Sequence, residues 1–266
     1  MKTFIYVWVL CATSFFIACS PSSPTAKESS KALTVKELEG SWVNAVYLDD
    51  LAKTRSPRQS FDKIGEIAQL SISSKGLKGD TLIGGLSYNG HEGGQYLIVF
   101  KAGKQPNSIR FGELLSDLQE ATSDLIIENG LLTISHHEPN DGGRVKAPSR
   151  FRRISTTPQG IDDGNGIGVI QTLFTGDWMM TDAGGKITMI KIDSLGKVTD
   201  APNFDQLSVL TDYTGPPTTY DFVTIMDTKQ NKSQELHFKC SDKAIEFSET
   251  KGKKEVVLFT LSMYVQ

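Results

Sequence analysis

The sequence predicts an all-β protein of two tandem antiparallel domains, each an eight-stranded barrel or sandwich. Three observations carry that prediction. A phrase repeats: Leu38-Glu39-Gly40-Ser41-Trp42 returns as Phe174-Thr175-Gly176-Asp177-Trp178, a large apolar residue followed by Gly-x-Trp. Each copy follows a short apolar-periodic segment and opens a run of short alternating or β-branched stretches. Between the runs, Thr156 to Gly168 (TTPQGIDDGNGIG) has the composition of a linker or long loop. The expected layout is a first domain at 32–157, a linker at 158–168 and a second domain at 169–266.

In the first half, Thr34-Val35-Lys36-Glu37 forms a capping-box pattern that starts a short helix. Strands are expected near Trp42–Leu48, Ile64–Ser73, Thr81–Tyr88, Gln95–Ala102, Ser108–Phe111, Asp124–Glu128, Leu131–His136 and Ser149–Ile154. Asn129-Gly130 suits the positive φ angles of a two-residue hairpin turn between Asp124 and Ser135. Gly112 to Ala121, with Leu114, Leu115 and Leu118, reads as a helix. In the second half, strands are expected near Trp178–Thr181, Lys186–Asp193, Lys197–Asp200, Gln206–Leu210, Thr219–Met226, Gln234–Cys240, Ala244–Glu249 and Glu255–Tyr264. Closure of such sheets removes exposed edges, and eight strands leave an interior either filled or able to hold one small ligand.

Ahead of these domains, Lys2 precedes an apolar run from Phe4 to Ala18 that falls short of the ~20 residues needed to span a bilayer. A positive start, an apolar stretch and a small residue at the cut describe a secretory signal. With Cys19 directly after Ala18, the segment resembles a bacterial lipoprotein signal, which implies removal of residues 1–18 and lipidation of Cys19. Residues 19–31 then form a flexible Ser-, Pro-, Ala- and Lys-rich tether. The resemblance implies a lipid-anchored envelope protein whose partner is the membrane. Ser20 after the cysteine points to the outer membrane by likeness to enterobacterial lipoproteins.

Gly40-Ser41-Trp42 and Gly176-Asp177-Trp178 resemble the Gly-x-Trp signature of lipocalin-like barrels, which sits on the first strand after a helix that plugs the base. That family often adds an arginine over the tryptophan from the last strand. Arg150-Phe151-Arg152-Arg153 stands at that place in the first half, with Arg152 and Arg153 the residues carried over. The second half has no arginine. The chain is also similar to exported Bacteroidota lipoproteins of this general build.

Composition narrows the chemistry. Net charge is −3, which gives no hint of a nucleic-acid partner. Cys11 leaves with the signal and Cys19 is used for lipid, so Cys240 is alone and reads as a buried small hydrophobe. His136 and His137 are adjacent on a strand and face opposite sides, and no paired His or Cys spacing implies a metal. Asp162-Asp163-Gly164-Asn165-Gly166 lacks the ligand spacing of a calcium loop and reads as linker. No nucleophile elbow or other catalytic motif is present, so the sequence is read as a non-enzyme with no cofactor.

All seven arginines lie in the first half, while the second carries ten lysines against fifteen acids. An anionic head group is therefore expected to meet the first domain, at the segment after its first strand that holds Tyr47, Arg55 and Arg58. The function expected is carriage of a small apolar or amphiphilic ligand. The alternative is a structural or interaction lipoprotein with filled barrels in an envelope assembly.

Overall fold

The computed structural model describes residues 33–114, 122–137, 147–160, 163–215 and 218–264. It is all-β, built of two lipocalin-like antiparallel barrels. The lipoprotein signal, Cys19 and the tether to residue 31 lie outside the described residues.

The first half runs α1 (Val35–Leu38), β1 (Gly40–Asn44), α2 (Ala45–Thr54), α3 (Pro57–Ser60), β2 (Ile67–Ile72), β3 (Leu77–Lys78), β4 (Thr81–Tyr88), β5 (Glu92–Ala102), β6 (Ile109–Glu113), β7 (Ser123–Glu128), β8 (Leu131–His136) and β9 (Ser149–Ser155). The sheet order β2-β1-β9-β8-β7-β6-β5-β4 is closed by antiparallel pairing of β2 with β4, for example Leu70 opposite Leu86. β3 is a short flap on β4. Inward residues alternate along each strand, and Leu70, Leu86, Tyr96, Ile98, Phe111, Leu125, Ile134 and Phe151 form one buried core. Asn129 (φ 52°) and Gly130 (φ 77°) make the expected left-handed turn between β7 and β8.

The second half runs α4 (Asp163–Leu173), β10 (Gly176–Asp182), β11 (Ile187–Ile192), β12 (Val198–Thr199), β13 (Gln206–Val209), β14 (Asp221–Asp227), β15 (Lys232–Cys240), β16 (Ala244–Lys251) and β17 (Lys254–Met263). Its order is β12-β11-β10-β17-β16-β15-β14-β13. Between β12 and β13 closure rests on one bridge, Lys197 to Gln206, so this barrel is nearly closed where the first is fully closed.

Three expectations are corrected. The first strand stops at Asn44 rather than Leu48, because the Asn44 side chain accepts the backbone N–H groups of Val46 and Tyr47 and starts α2. Tyr47, Leu48 and Leu51 then fall on one buried helical face. The stretch 158–168 is not wholly linker, since Asp163 to Gly168 begins α4 and is almost entirely buried. Third, Gly112 and Glu113 end β6, and the rest of the expected helix, 115–121, lies outside the described residues.

Tertiary packing explains α4. Gly164 lies against the Gln69 side chain and Gly168 against Leu48 and Val43, so two glycines at helical spacing let α4 approach the outer wall of the first barrel. Gln69 fixes the helix start by accepting the Asn165 N–H (3.1 Å) and donating to the Gly160 carbonyl (2.9 Å). The other end of α4 delivers Ile170, Leu173 and Phe174 into the second barrel's core. That core also contains Val43, Tyr47, Leu48 and Leu51 from the first half, so the two barrels share buried surface within one compact unit.

Candidate ligand cavity

Each barrel has a plugged end built the same way. Gly40 (φ 131°) and Gly176 (φ 144°) turn the chain out of a short helix into the first strand. A side chain at Gly40 would collide with the Ser155 carbonyl. The Trp42 indole N–H then donates to the Leu38 carbonyl at 2.7 Å, and that of Trp178 to the Phe174 carbonyl at 2.6 Å. Both rings are buried, and each satisfies a helix-end carbonyl four residues back.

Arg153 completes the first plug. Its guanidinium carbon stands 4.4 Å from the Trp42 ring centroid, and its Nη2 donates to the Glu37 carbonyl. Burial holds the Arg153 guanidinium below its ordinary pKa. Arg152, one residue earlier, faces outward in an exposed ion pair with Asp49 (2.7 Å) and does not touch the tryptophan. A cleft of about 740 Å³ lies beside this plug, lined by Leu33, Lys36, Glu37, Ile127 and Arg153 among others. It borders residues outside the described set.

A second cavity lies in the second barrel. It measures about 670 Å³, within the ~300–1,000 Å³ that small-molecule sites occupy. Its walls come from the strand ends opposite α4: Met180 and Asp182 on β10, Ile225 and Asp227 on β14, Lys232 to Gln234 on β15, Leu258 and Phe259 on β17, and the 202–204 loop. Phe259 stacks on Phe247 (centroids 4.4 Å) and Phe204 (5.7 Å), giving an aromatic floor. The loop carrying Phe204 is pinned because Asp205 accepts both the backbone N–H (2.8 Å) and hydroxyl (2.6 Å) of Thr228. Those bonds hold the Asp205 carboxyl below its usual pKa.

No family model, curated protein or solved structure matches the chain.

The residues expected to meet a ligand stand apart from these two cavities. Tyr47, Arg55 and Arg58 line neither cavity. They lie where α2 and α3 meet the second half. The Arg58 backbone N–H donates to Asp221 Oδ1 (2.8 Å), and the Tyr213 hydroxyl shares that oxygen (3.2 Å). Burial and then the Asp221 charge push the Tyr47 phenol upward. Arg55 ends α2 with a left-handed φ of 56° and faces Cys240, whose thiol is pushed up to about 12, chiefly by burial. At that pKa the thiol stays protonated near neutral pH. The connection after β1 folds into α2, whose buried face joins the core of the second half.

The first barrel's interior holds a buried apolar core among the described residues, with polar pairs at its strand ends. Tyr88 donates to Glu113 Oε2 (2.5 Å), and Ser123 Oγ lies 3.0 Å from His136 Nδ1. His137 faces the other side, with Nε2 3.0 Å from Asp124 Oδ1. Among the described residues no three His, Cys, Asp or Glu side chains converge to hold a metal. The loop of Pro202, Asn203 and Phe204 went unread in the sequence. Phe204 in a Pro-Asn-Phe turn was the available signal, since a large aromatic in a loop needs an apolar seat.

Proposed function

We propose that the chain is an envelope lipoprotein, anchored through Cys19, that carries a small apolar or amphiphilic ligand in its second barrel without doing chemistry on it. The observation that carries this reading is the cavity of about 670 Å³ with an aromatic floor and a polar rim. The apolar core packed inside the first barrel among the described residues supports a division of labour. The first half braces α4 from outside and follows the tether in the sequence, and the second half holds the cargo.

Native mass spectrometry of the purified full chain tests this proposal. One small molecule bound per chain is expected, lost in Ile225→Trp, which fills the cavity. A ligand-free mass together with no thermal shift across a panel of alkyl alcohols and fatty acids would remove the carrier reading. In that case the interaction-protein alternative takes its place.

A further inference from the structure

The mouth of the second barrel combines balanced charge with mixed hydrogen-bonding groups. Its strand ends and hairpins carry the lysines Lys186, Lys229, Lys232, Lys251, Lys253 and Lys254. The acids Asp182, Asp200, Asp205, Asp227, Glu249 and Glu255 stand at the same end. Neither sign dominates, so no field of one sign draws an ionic head group in. Such a group would also give up hydration on entering the cavity.

The polar part of the cavity wall is Asp182, Asn203, Asp227, Gln230, Ser233 and Gln234. These groups differ in what they have left to offer. Asp182 Oδ1 accepts the Gly184 and Lys186 N–H groups, and Asp227 Oδ1 those of Lys229 and Gln230, which leaves each Oδ2 as an acceptor. Gln234 donates through Nε2 to Glu249 Oε2 (3.3 Å), which leaves its carbonyl oxygen. Gln230 accepts from Lys232 through Oε1 (2.7 Å), which leaves its amide N–H donors. The side chains of Asn203 and Ser233 make no hydrogen bond among the described residues. The groups are also spread around the mouth. The strands of Asp182 and Asp227, β10 and β14, are four steps apart in a ring of eight, and Asn203 comes from the loop between β12 and β13.

An ammonium group only donates and a carboxylate only accepts, whereas a hydroxyl does both. A ring with hydroxyls pointing several ways can therefore use donors and acceptors on more than one wall. We propose that the second barrel selects uncharged, polyhydroxylated amphiphiles of the alkyl glycoside class. The sugar sits at the mouth, and the alkyl tail rests on Met180, Ile225 and Phe259. This inference rests on the carrier reading.

Four probes with the same tail test it: octyl glucoside, 1-octanol, octylammonium and octanoate. Each is titrated calorimetrically into the full chain, below its micelle concentration and at about pH 7, where the amine is protonated and the acid ionised. Octyl glucoside should bind about tenfold more tightly than octanol, the gain expected of a few hydrogen bonds. Both ions should bind more weakly than the glucoside, and added salt should leave glucoside binding unchanged. The Asn203→Ala/Gln230→Ala variant should bind octanol as before while losing most of the preference for the glucoside. Octanol binding with no glucoside preference, an ion that binds as tightly as the glucoside, or a preference that survives in the double variant overturns this inference and leaves the carrier reading standing. If no probe binds, both fall.

Discussion

At the scale of single residues, the two tryptophans do the same work with different support. Each indole N–H satisfies a helix-end carbonyl that is otherwise buried without a partner. Replacing Trp178 by Phe strands the Phe174 carbonyl, and such a loss costs ~1–3 kcal/mol. Trp42→Phe is expected to cost more, because Arg153 loses its best aromatic partner, worth ~0.5–2 kcal/mol. Urea midpoints of the two variants measure the difference, and a larger loss for Trp178→Phe would contradict the role given to Arg153. Gly-x-Trp and the Arg-rich last strand were legible because they depend on residue identity at one place. Which of Arg152 and Arg153 turns inward depends on strand register, and here Trp42 stands opposite Arg153.

At the scale of elements, α4 is the clearest case of packing overriding propensity. Helix propensity alone makes Gly164→Ala stabilising by up to ~1 kcal/mol. The new Cβ would meet Gln69 side-chain atoms at 2.3–2.5 Å, and Gln69 is held by Gly160 and Asn165. Overpacking of this kind costs ~1–3 kcal/mol, so the variant should be less stable than wild type by thermal denaturation. A composition of Gly, Asp and Asn reads locally as loop, and only the neighbouring barrel wall reveals the helix. Strand alternation, in contrast, needs no distant partner to be seen, and β4, β8 and β16 fall close to their expected bounds.

A second contact between elements is sensitive to pH. His91, in the β4–β5 turn, lies 2.7 Å from Asp212 in the β13–β14 connection. The hydrogen bond and charge of Asp212 raise the His91 pKa, while Thr214 and His91 help hold the Asp212 carboxyl below its usual value against the upward push of burial. A raised histidine contributes fully below its ordinary pKa of about 6.5, and the contribution disappears as pH rises through the folded value. A depressed carboxylate contributes above about 3.9 and loses its part as pH falls. The clasp is therefore strongest between those limits. His91→Gln should lower the melting temperature most near pH 5–6 and hardly at all near pH 9. An equal effect at both pH values would show that the ion pair is not formed.

At the scale of the whole molecule, the shared core of α4, α2 and the second barrel predicts one cooperative unfolding transition in calorimetry. Two resolved transitions would mean the halves fold independently. The barrel count was legible because each half carries its own opening phrase and its own run of strands. Where a cavity opens was not. Both halves show the same alternation, and a cavity depends on how far the inward side chains reach across the space. In the first half Trp42, Tyr96, Phe111 and Phe151 are fully buried in the interior, and in the second Phe204 and Phe259 line a cavity. Among the described arginines of the first half, Arg153 joins the plug, Arg152 pairs with Asp49 at the surface and Arg58 meets Asp221 at the junction.

The central claim is that the second barrel, and not the first, holds the cargo. Methyl NMR of the chain titrated with 1-decanol tests it most directly. The account predicts saturable shifts at Met180 and Ile225, with Ile98 and Ile134 of the first barrel unmoved. Shifts confined to Ile98 and Ile134, or none at Met180 and Ile225, would contradict it.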